Sequence, residues 1–174
     1  EARDVSTSPR PVFLWADEAQ NFVTSHDLEF QSTARSSRAC TVYLTQNVST
    51  YYAVLNGEGG KPGADALLGN FQTKIFHANA DEPTNQYASS LIAQDWRSMA
   101  TIGANTGDKY QSQSAGFSEA MHYRVAPVEF TRLKMGGPKN QNIVQAIIHK
   151  SGHTWHSTDD TYLRTSFRQP TQKR

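Results

Sequence analysis

The sequence predicts an α/β fold in which crossover helices connect the strands of a parallel sheet. Short apolar or β-branched runs at residues 12–16, 41–46 and 74–78 have the length and composition of buried strands. Segments of helical composition follow these runs along the chain. Strands that alternate with helices are typical of a parallel sheet, because each helix carries the chain back to start the next strand.

The first of these runs ends abruptly on two carboxylates. Val12 to Ala16 follow a proline, and Asp17 and Glu18 come directly after them. An apolar run bounded in this way is typical of a strand buried on both faces, and open α/β sheets bind ligands at the carboxyl ends of such strands. In nucleotide hydrolases the first acid at this position holds Mg²⁺ and the second activates water. A solvated strand end is the alternative interpretation.

The next two segments add polar groups that can act with this acid pair. Residues 27–38 have helical composition and carry Arg35 and Arg38, and the strand at 41–46 ends on Gln46. We expect the acids, the arginines and the glutamine near one end of one sheet. A glutamine there can hydrogen-bond the attacking water, and an arginine at a subunit edge can stabilise a neighbour's transition state. An ordinary strand cap and a solvated helix end are the alternatives.

The middle of the chain continues the alternation of helices and strands. A glycine-rich segment at 56–63 predicts a surface loop between short helices at 49–55 and 64–68. After the strand at 74–78, Asp81 and an early proline predict the start of a longer helix.

The composition changes past residue 93. Residues 96–119 are rich in Gly, Ser, Thr and Gln without a sustained period, which predicts long loops. A strand at 143–149, the turn Ser151-Gly152 and a return at 153–155 predict a small β hairpin.

Composition excludes several classes of protein. The chain has 174 residues with 17 basic and 16 acidic side chains, so no overall basic field indicates nucleic-acid binding. No apolar window approaches the length of ~18 residues that a membrane span requires. The single cysteine, Cys40, excludes an internal disulfide framework. Because a core strand follows Glu1 so closely, we expect a piece of a longer protein.

In combination these motifs resemble a known family. The segments Val-Phe-Leu-Trp-Ala-Asp17-Glu18, Ala34-Arg35 and Tyr-Leu-Thr-Gln46 are similar to the TraG/TraD-type coupling ATPases of conjugation and type IV secretion. These belong to the FtsK/HerA side of the RecA-like P-loop NTPases. The resemblance continues through residues 68–76, the helix after Asp81 and the strands from 143 onward, and it leaves out 93–119.

The resemblance implies a role for each candidate residue. Asp17 would hold the Mg²⁺ of bound ATP, Glu18 would polarise the hydrolytic water, and Gln46 would be the sensor. Arg35 matches the trans-acting arginine finger, with Arg38 as the second choice. The family implies a homo-hexameric ring at the cytoplasmic face of the bacterial inner membrane. That ring would move DNA, nucleoprotein or protein substrates to the secretion channel, with channel ATPases and relaxosome components as partners.

One essential motif of the family is absent from the chain. A Walker A loop, G-x-x-x-x-G-K-[ST], holds the phosphates in these ATPases, and the stretch from Gly57 to Pro62 has the wrong spacing. The resemblance therefore implies an RecA-like fold fragment that is inactive alone. We expect a linker (1–10), the C-terminal half of the ATPase domain (11–126), a β-hairpin appendage (127–163) and a basic tail (164–174). The alternatives are a non-catalytic α/β binding or assembly module, and a DNA-packaging or translocating ATPase of a related lineage.

Overall fold

The computed structural model describes residues 6–7, 10–55, 60–107 and 110–170, and for residues 102–115 it describes the backbone alone. The strands are Val12–Ala16 (β1), Ala39–Tyr43 (β2), Thr73–Phe76 (β3), Gln94–Gly107 (β4), Tyr110–Tyr123 (β5), Ile143–Lys150 (β6) and Tyr162–Arg168 (β7). The α-helices are Ser25–Thr33 (α1), Val48–Val54 (α2), Gly60–Asn70 (α3), Glu82–Ile92 (α4) and Pro127–Thr131 (α5). Within these ranges the strands form three sheets, β1-β2, β3-β6-β7 and β4-β5.

The first strand–helix–strand unit is the one that the sequence predicts. β1 and β2 pair in parallel, from Val12 opposite Ala39 to Ala16 opposite Tyr43. A capping box starts the helix between them, in which the Asp27 carboxylate accepts a hydrogen bond from the Thr24 N–H at 2.8 Å.

The prediction that β3 extends this parallel sheet is wrong. β3 pairs antiparallel with β6, from Thr73 opposite Lys150 to Phe76 opposite Ile147, and β7 lies on the other side of β6. Composition identifies a strand but not its partner. β6 has eight residues, nearly all of them buried or half-buried, so it provides a longer edge than the five-residue β2. The parallel part of the fold is therefore limited to two strands.

The segment predicted as loops at 96–119 lies within a long antiparallel hairpin, so that prediction is wrong. β4 and β5 pair without a break from Gln94 opposite Tyr123 to Gly107 opposite Tyr110. Small and polar residues hide the strand pattern, because only a few positions carry large apolar side chains. Trp96 lies opposite Met121 and Ala100 opposite Phe117 on one face, and Phe117 is 80% exposed.

The boundaries of two further segments differ from prediction. α3 begins at Gly60, so the predicted loop over 56–63 is wrong in its second half, while 56–59 lie outside the described residues. Proline in the first helical turn costs no hydrogen bond, which explains why this Gly- and Pro-rich stretch is helical. The strand predicted at 153–155 is also wrong, because the chain turns between Trp155 and Asp160 and returns as β7. The predicted tail from 164 therefore starts inside a strand, whereas most of the linker at 1–10 lies outside the described residues.

Two apolar clusters form the core. The first joins α2 and α3 to the turn after β1, and its buried residues are Ala19, Val23, Tyr51, Leu55, Ala64 and Leu67. The second joins α4, α5 and β6, and its buried residues are Ala88, Ile92, Val125, Phe130, Leu133 and Ile147. The first cluster lies directly behind the candidate site, because Ala19 follows Glu18 in the chain.

β1 is not buried on both faces as predicted. Phe13 is 59% exposed and Trp15 is 68% exposed, and of this strand only Ala16 packs against the first cluster. The apolar run marks a strand correctly, but in a two-stranded sheet nothing in the described chain covers it. Among the described helices none is both long and apolar enough to cross a membrane.

Candidate functional site

Glu18 and Gln46 meet where β1 and β2 end. The Gln46 Nε2 donates a hydrogen bond to Glu18 Oε1 at 3.0 Å. Two backbone hydrogen bonds of 2.9 Å, from Leu44 N to Ala16 O and from Ala19 N to Leu44 O, extend the pairing beyond the strands. Because parallel strands release their carboxyl ends at the same edge, the turn after β1 and the turn after β2 are brought together. The structure therefore places side by side the two residues that the sequence singles out on neighbouring strands.

Glu18 has an uncommon backbone conformation. Its φ of 50° and ψ of 44° lie in the left-handed region, immediately before the 3₁₀ turn Ala19–Asn21. Any residue other than glycine is destabilised by roughly 1–2 kcal/mol in this conformation, because its Cβ lies too close to the following carbonyl oxygen. Such strain is found preferentially at functional sites, where the surrounding structure holds it in place. Here it turns the Glu18 carboxylate toward the end of β2.

Two amide groups favour the ionised form of the Glu18 carboxyl. Hydrogen bonds from Gln46, and then from Gln20, lower the pKa of the Glu18 carboxyl below its usual range, although desolvation partly opposes them. Both amides donate to the ionised form, which is the form that they favour. Glu18 is therefore a carboxylate at neutral pH, able to accept a hydrogen bond from water.

Gln20 is also part of the site, although no motif in the sequence indicates it. It is only 4% exposed, its Nε2 donates to Glu18 Oε2, and its Oε1 has no hydrogen-bond partner among the described residues. The sequence signal is only a glutamine two positions after the acid pair. A 3₁₀ turn folds that residue back onto Glu18, which explains why its importance is visible only in the structure.

Asp17 faces solvent beside Glu18. Its Oδ1 accepts a hydrogen bond from the Glu18 N–H at 3.0 Å, and its side chain is exposed. In phosphate-transfer sites Mg²⁺ uses one or two carboxylates, with waters and substrate phosphates as the remaining ligands. One accessible carboxylate fits part of such a site. Within the described residues no three His, Cys, Asp or Glu side chains form a group that holds a metal by itself.

Arg35 and Arg38 do not lie beside the acid pair, so the expectation of one shared end is wrong. α1 ends at Thr33, and both arginines occupy the turn that leads into β2. The Arg38 carbonyl accepts from Val12 N at 3.0 Å, at the start of β1. The crossover helix carries the chain back to the amino end of the sheet, and five-residue strands span about 16 Å. Both arginines are therefore at the opposite end of the strand pair from Glu18.

A polar cluster from the start of α4 supports the turn that carries Gln46. Asn79 Nδ2 donates to the Gln46 carbonyl at 2.7 Å, and the Thr84 hydroxyl accepts from Val48 N at 2.8 Å. Asp81 caps α4 by accepting from Thr84 N at 3.1 Å, and it accepts from the Ser49 hydroxyl at 2.9 Å. The sequence predicts the cap but not these links to the site.

Comparisons with known proteins agree with the resemblance. A protein-family model described as "TraM recognition site of TraD and TraG" matches residues 11–128, a range that includes Asp17, Glu18 and Gln46. A solved structure of the bacterial conjugative coupling protein TrwBdeltaN70, in its unbound monoclinic form, superposes with a TM-score of 0.55 at 15% sequence identity.

The structural match covers 90% of this chain and 31% of the TrwBdeltaN70 chain, so this chain spans about a third of that length. At this identity the match shows the fold alone. A search of curated proteins finds none that matches. The family model covers about two thirds of the chain. The chain therefore belongs to the family described as the TraM recognition site of TraD and TraG, as its sequence motifs predict.

Proposed function

We propose that this chain supplies the water-activating carboxylate and its sensor amide to a coupling ATPase that moves DNA or protein substrates in conjugation or type IV secretion. The observation that carries the proposal is the hydrogen bond of 3.0 Å between Gln46 and Glu18 at the carboxyl ends of two parallel strands. An acid and an amide at this edge form the arrangement that nucleotide hydrolases use to orient an attacking water.

Each residue has a distinct role in this proposal. Glu18, an ionised carboxylate held in place by two amides, accepts a hydrogen bond from the water and draws away its proton. Gln46 holds the Glu18 carboxylate by a hydrogen bond. As the sensor, Gln46 would also respond to the attacking water and the γ-phosphate of bound ATP. Asp17 would hold Mg²⁺, which neutralises the charge on the phosphates of ATP when it is bound. The Walker A loop would come from another part of the coupling protein, so the chain alone is inactive.

The position of Arg35 supports a role in trans. Arg35 is exposed and lies at the far end of the strand pair from Glu18, so it is badly placed for a nucleotide held by its own subunit. In a ring of subunits, an exposed arginine can reach the nucleotide of its neighbour and stabilise the transition-state charge. We therefore propose that subunits meet in a ring, and the family resemblance implies that this ring is a homo-hexamer.

The partners follow from the family. Its description names TraM recognition by TraD and TraG. We extend this to a relaxosome component of the TraM kind as a partner of this chain, with the ATPases of the secretion channel as further partners. The place of action would be the cytoplasmic face of the bacterial inner membrane, where substrate is delivered to the channel.

The test uses the complete coupling protein with Glu18→Gln and, as a matched control, Glu29→Gln on the exposed face of α1. We expect Glu18→Gln to lower kcat for ATP by about 10²-fold or more, because general-base catalysis contributes that much. The Kd for ATP should change little, and the control should keep wild-type kcat. Unchanged hydrolysis in Glu18→Gln would refute the base assignment. A complete wild-type protein that hydrolyses no ATP would favour the non-catalytic binding module instead.

A further inference from the structure

We propose that Asn79 is a positioning residue that holds Gln46 against Glu18; the inference rests on the proposed function. The Asn79 Nδ2 donates to the Gln46 backbone carbonyl at 2.7 Å. The side chain itself is fixed, because its Oδ1 accepts from Asp81 N at 2.8 Å, and the Asn79 carbonyl accepts from Asn85 Nδ2 at 3.0 Å. Asn79 therefore links the Gln46 main chain to the rigid start of α4.

This link is needed because Gln46 lies beyond the regular part of β2. The strand ends at Tyr43, and Gln46 follows in an exposed turn before α2. A glutamine side chain has three rotatable bonds, so its amide is well placed only if its backbone is fixed. The hydrogen bond to the Gln46 carbonyl restricts rotation of the peptide group that follows Gln46. It therefore fixes the main chain from which the Gln46 side chain extends. The contact that this link would hold is the hydrogen bond of 3.0 Å from Gln46 to Glu18.

Neighbouring contacts act in the same direction but on other residues. Thr84 accepts from Val48 N, and Asp81 accepts from Ser49, so both hold α2 rather than Gln46 itself. Of these links between the start of α4 and the turn after β2, the one from Asn79 reaches the Gln46 main chain. A displacement of about 1 Å in a catalytic group can lower a rate about 10²-fold. Loss of the Asn79 donor should therefore affect the chemical step more than ATP binding.

The test is Asn79→Asp in the complete coupling protein. Aspartate has the same shape and keeps an oxygen for Asp81 N, but it cannot donate to the Gln46 carbonyl. We expect kcat for ATP to fall about 10-fold or more, while KM changes less than about 3-fold. The matched control is Asn140→Asp, because Asn140 Nδ2 also donates to a backbone carbonyl, that of Gly136 at 3.0 Å. The control should keep wild-type kcat.

A double-mutant cycle with Gln46→Ala separates positioning from a general structural role. If Asn79 acts through Gln46, Asn79→Asp lowers kcat no further in the Gln46→Ala background. An equal additional loss in that background, or an equal loss in Asn140→Asp, would overturn the inference. Asn79→Ala, which introduces no charge, replaces Asn79→Asp if the aspartate variant does not fold.

The same set of variants shows which proposal fails. If Gln46→Ala lowers kcat and Asn79→Asp does not, the positioning role of Asn79 is wrong and the proposed function stands. If Gln46→Ala and Glu18→Gln both keep wild-type kcat, the proposed function is wrong and the inference about Asn79 falls with it.

Discussion

Replacing Gln20 with methionine should make the chain more stable and the site less effective. Gln20 is 4% exposed, and its Oε1 has no hydrogen-bond partner in the described part of the chain. A buried polar atom without a partner costs about 1–3 kcal/mol, which methionine of similar size would recover. The substitution also loses the hydrogen bond to Glu18, worth about 1 kcal/mol because the Glu18 carboxylate can turn to solvent. We therefore expect a net gain of roughly 1 kcal/mol.

Urea unfolding of the 174-residue chain measures this gain, which corresponds to a rise in Tm of about 2–4 °C. The matched control is Gln86→Met, since Gln86 donates to the Tyr123 hydroxyl and leaves no buried atom unpaired. The control should lose about 0.5–1.5 kcal/mol. If Gln20→Met loses as much as the control, the Oε1 of Gln20 is satisfied and the reasoning is refuted. In the complete coupling protein, Gln20→Met should lower kcat, because Glu18 keeps only one amide partner.

Three further predictions concern the core, the hairpin and the start of α4. Phe130→Ala should lower the free energy of unfolding by about 3–5 kcal/mol, because Phe130 is 0% exposed in the second cluster; urea unfolding checks this. Phe117→Ala should change it by less than about 0.5 kcal/mol in the same assay, because Phe117 is 80% exposed. Desolvation raises the pKa of Asp81, but hydrogen bonds from Thr84 and Ser49 outweigh it and lower the pKa below the ordinary 3.8. The ionised Asp81 therefore contributes its full stabilisation above pH ~5, and this stabilisation is lost as the pH falls through the lowered pKa. When the solution is acidified, the urea midpoint of Asp81→Asn should therefore fall less than that of the wild-type chain.

The sequence predicts the first strand–helix–strand unit, and Glu18 and Gln46 near one end of it, because the causes are local. An apolar run, a capped helix and a second β-branched run lie within about 35 residues, and a parallel connection then forces both strand ends to one edge. The parallel connection also places Arg35 at the end of the strand pair opposite to Glu18. A crossover helix must carry the chain back along the sheet, so a residue at its C-terminus cannot lie beside a residue before its N-terminus.

The pairing of the later strands depends on contacts that are distant in sequence. β3 pairs with β6, which lies about 70 residues later in the sequence, and the composition of neither segment identifies the other as its partner. The β4-β5 hairpin is hidden for a different reason. Its ladder is formed by backbone groups, and small residues such as Ser, Thr and Gly give little side-chain alternation to detect. A search for cross-strand pairs such as Trp96 with Met121 would have indicated it.

The residues that the sequence misses at the site are amides, and this follows from how the site is held. Glu18 occupies a strained left-handed conformation, Gln20 is buried with an unpaired oxygen, and Gln46 lies outside its strand. The first two arrangements cost stability locally, and burial of Tyr51 and Leu67 in the first cluster offsets that cost. An amide that orients another side chain has no composition signal, since glutamine and asparagine are common on any surface. Glu18 and Gln46 can therefore be predicted from the ends of their strands, whereas Gln20 and Asn79, which hold them, become visible only when the turn after β1, the turn after β2 and the start of α4 are brought together.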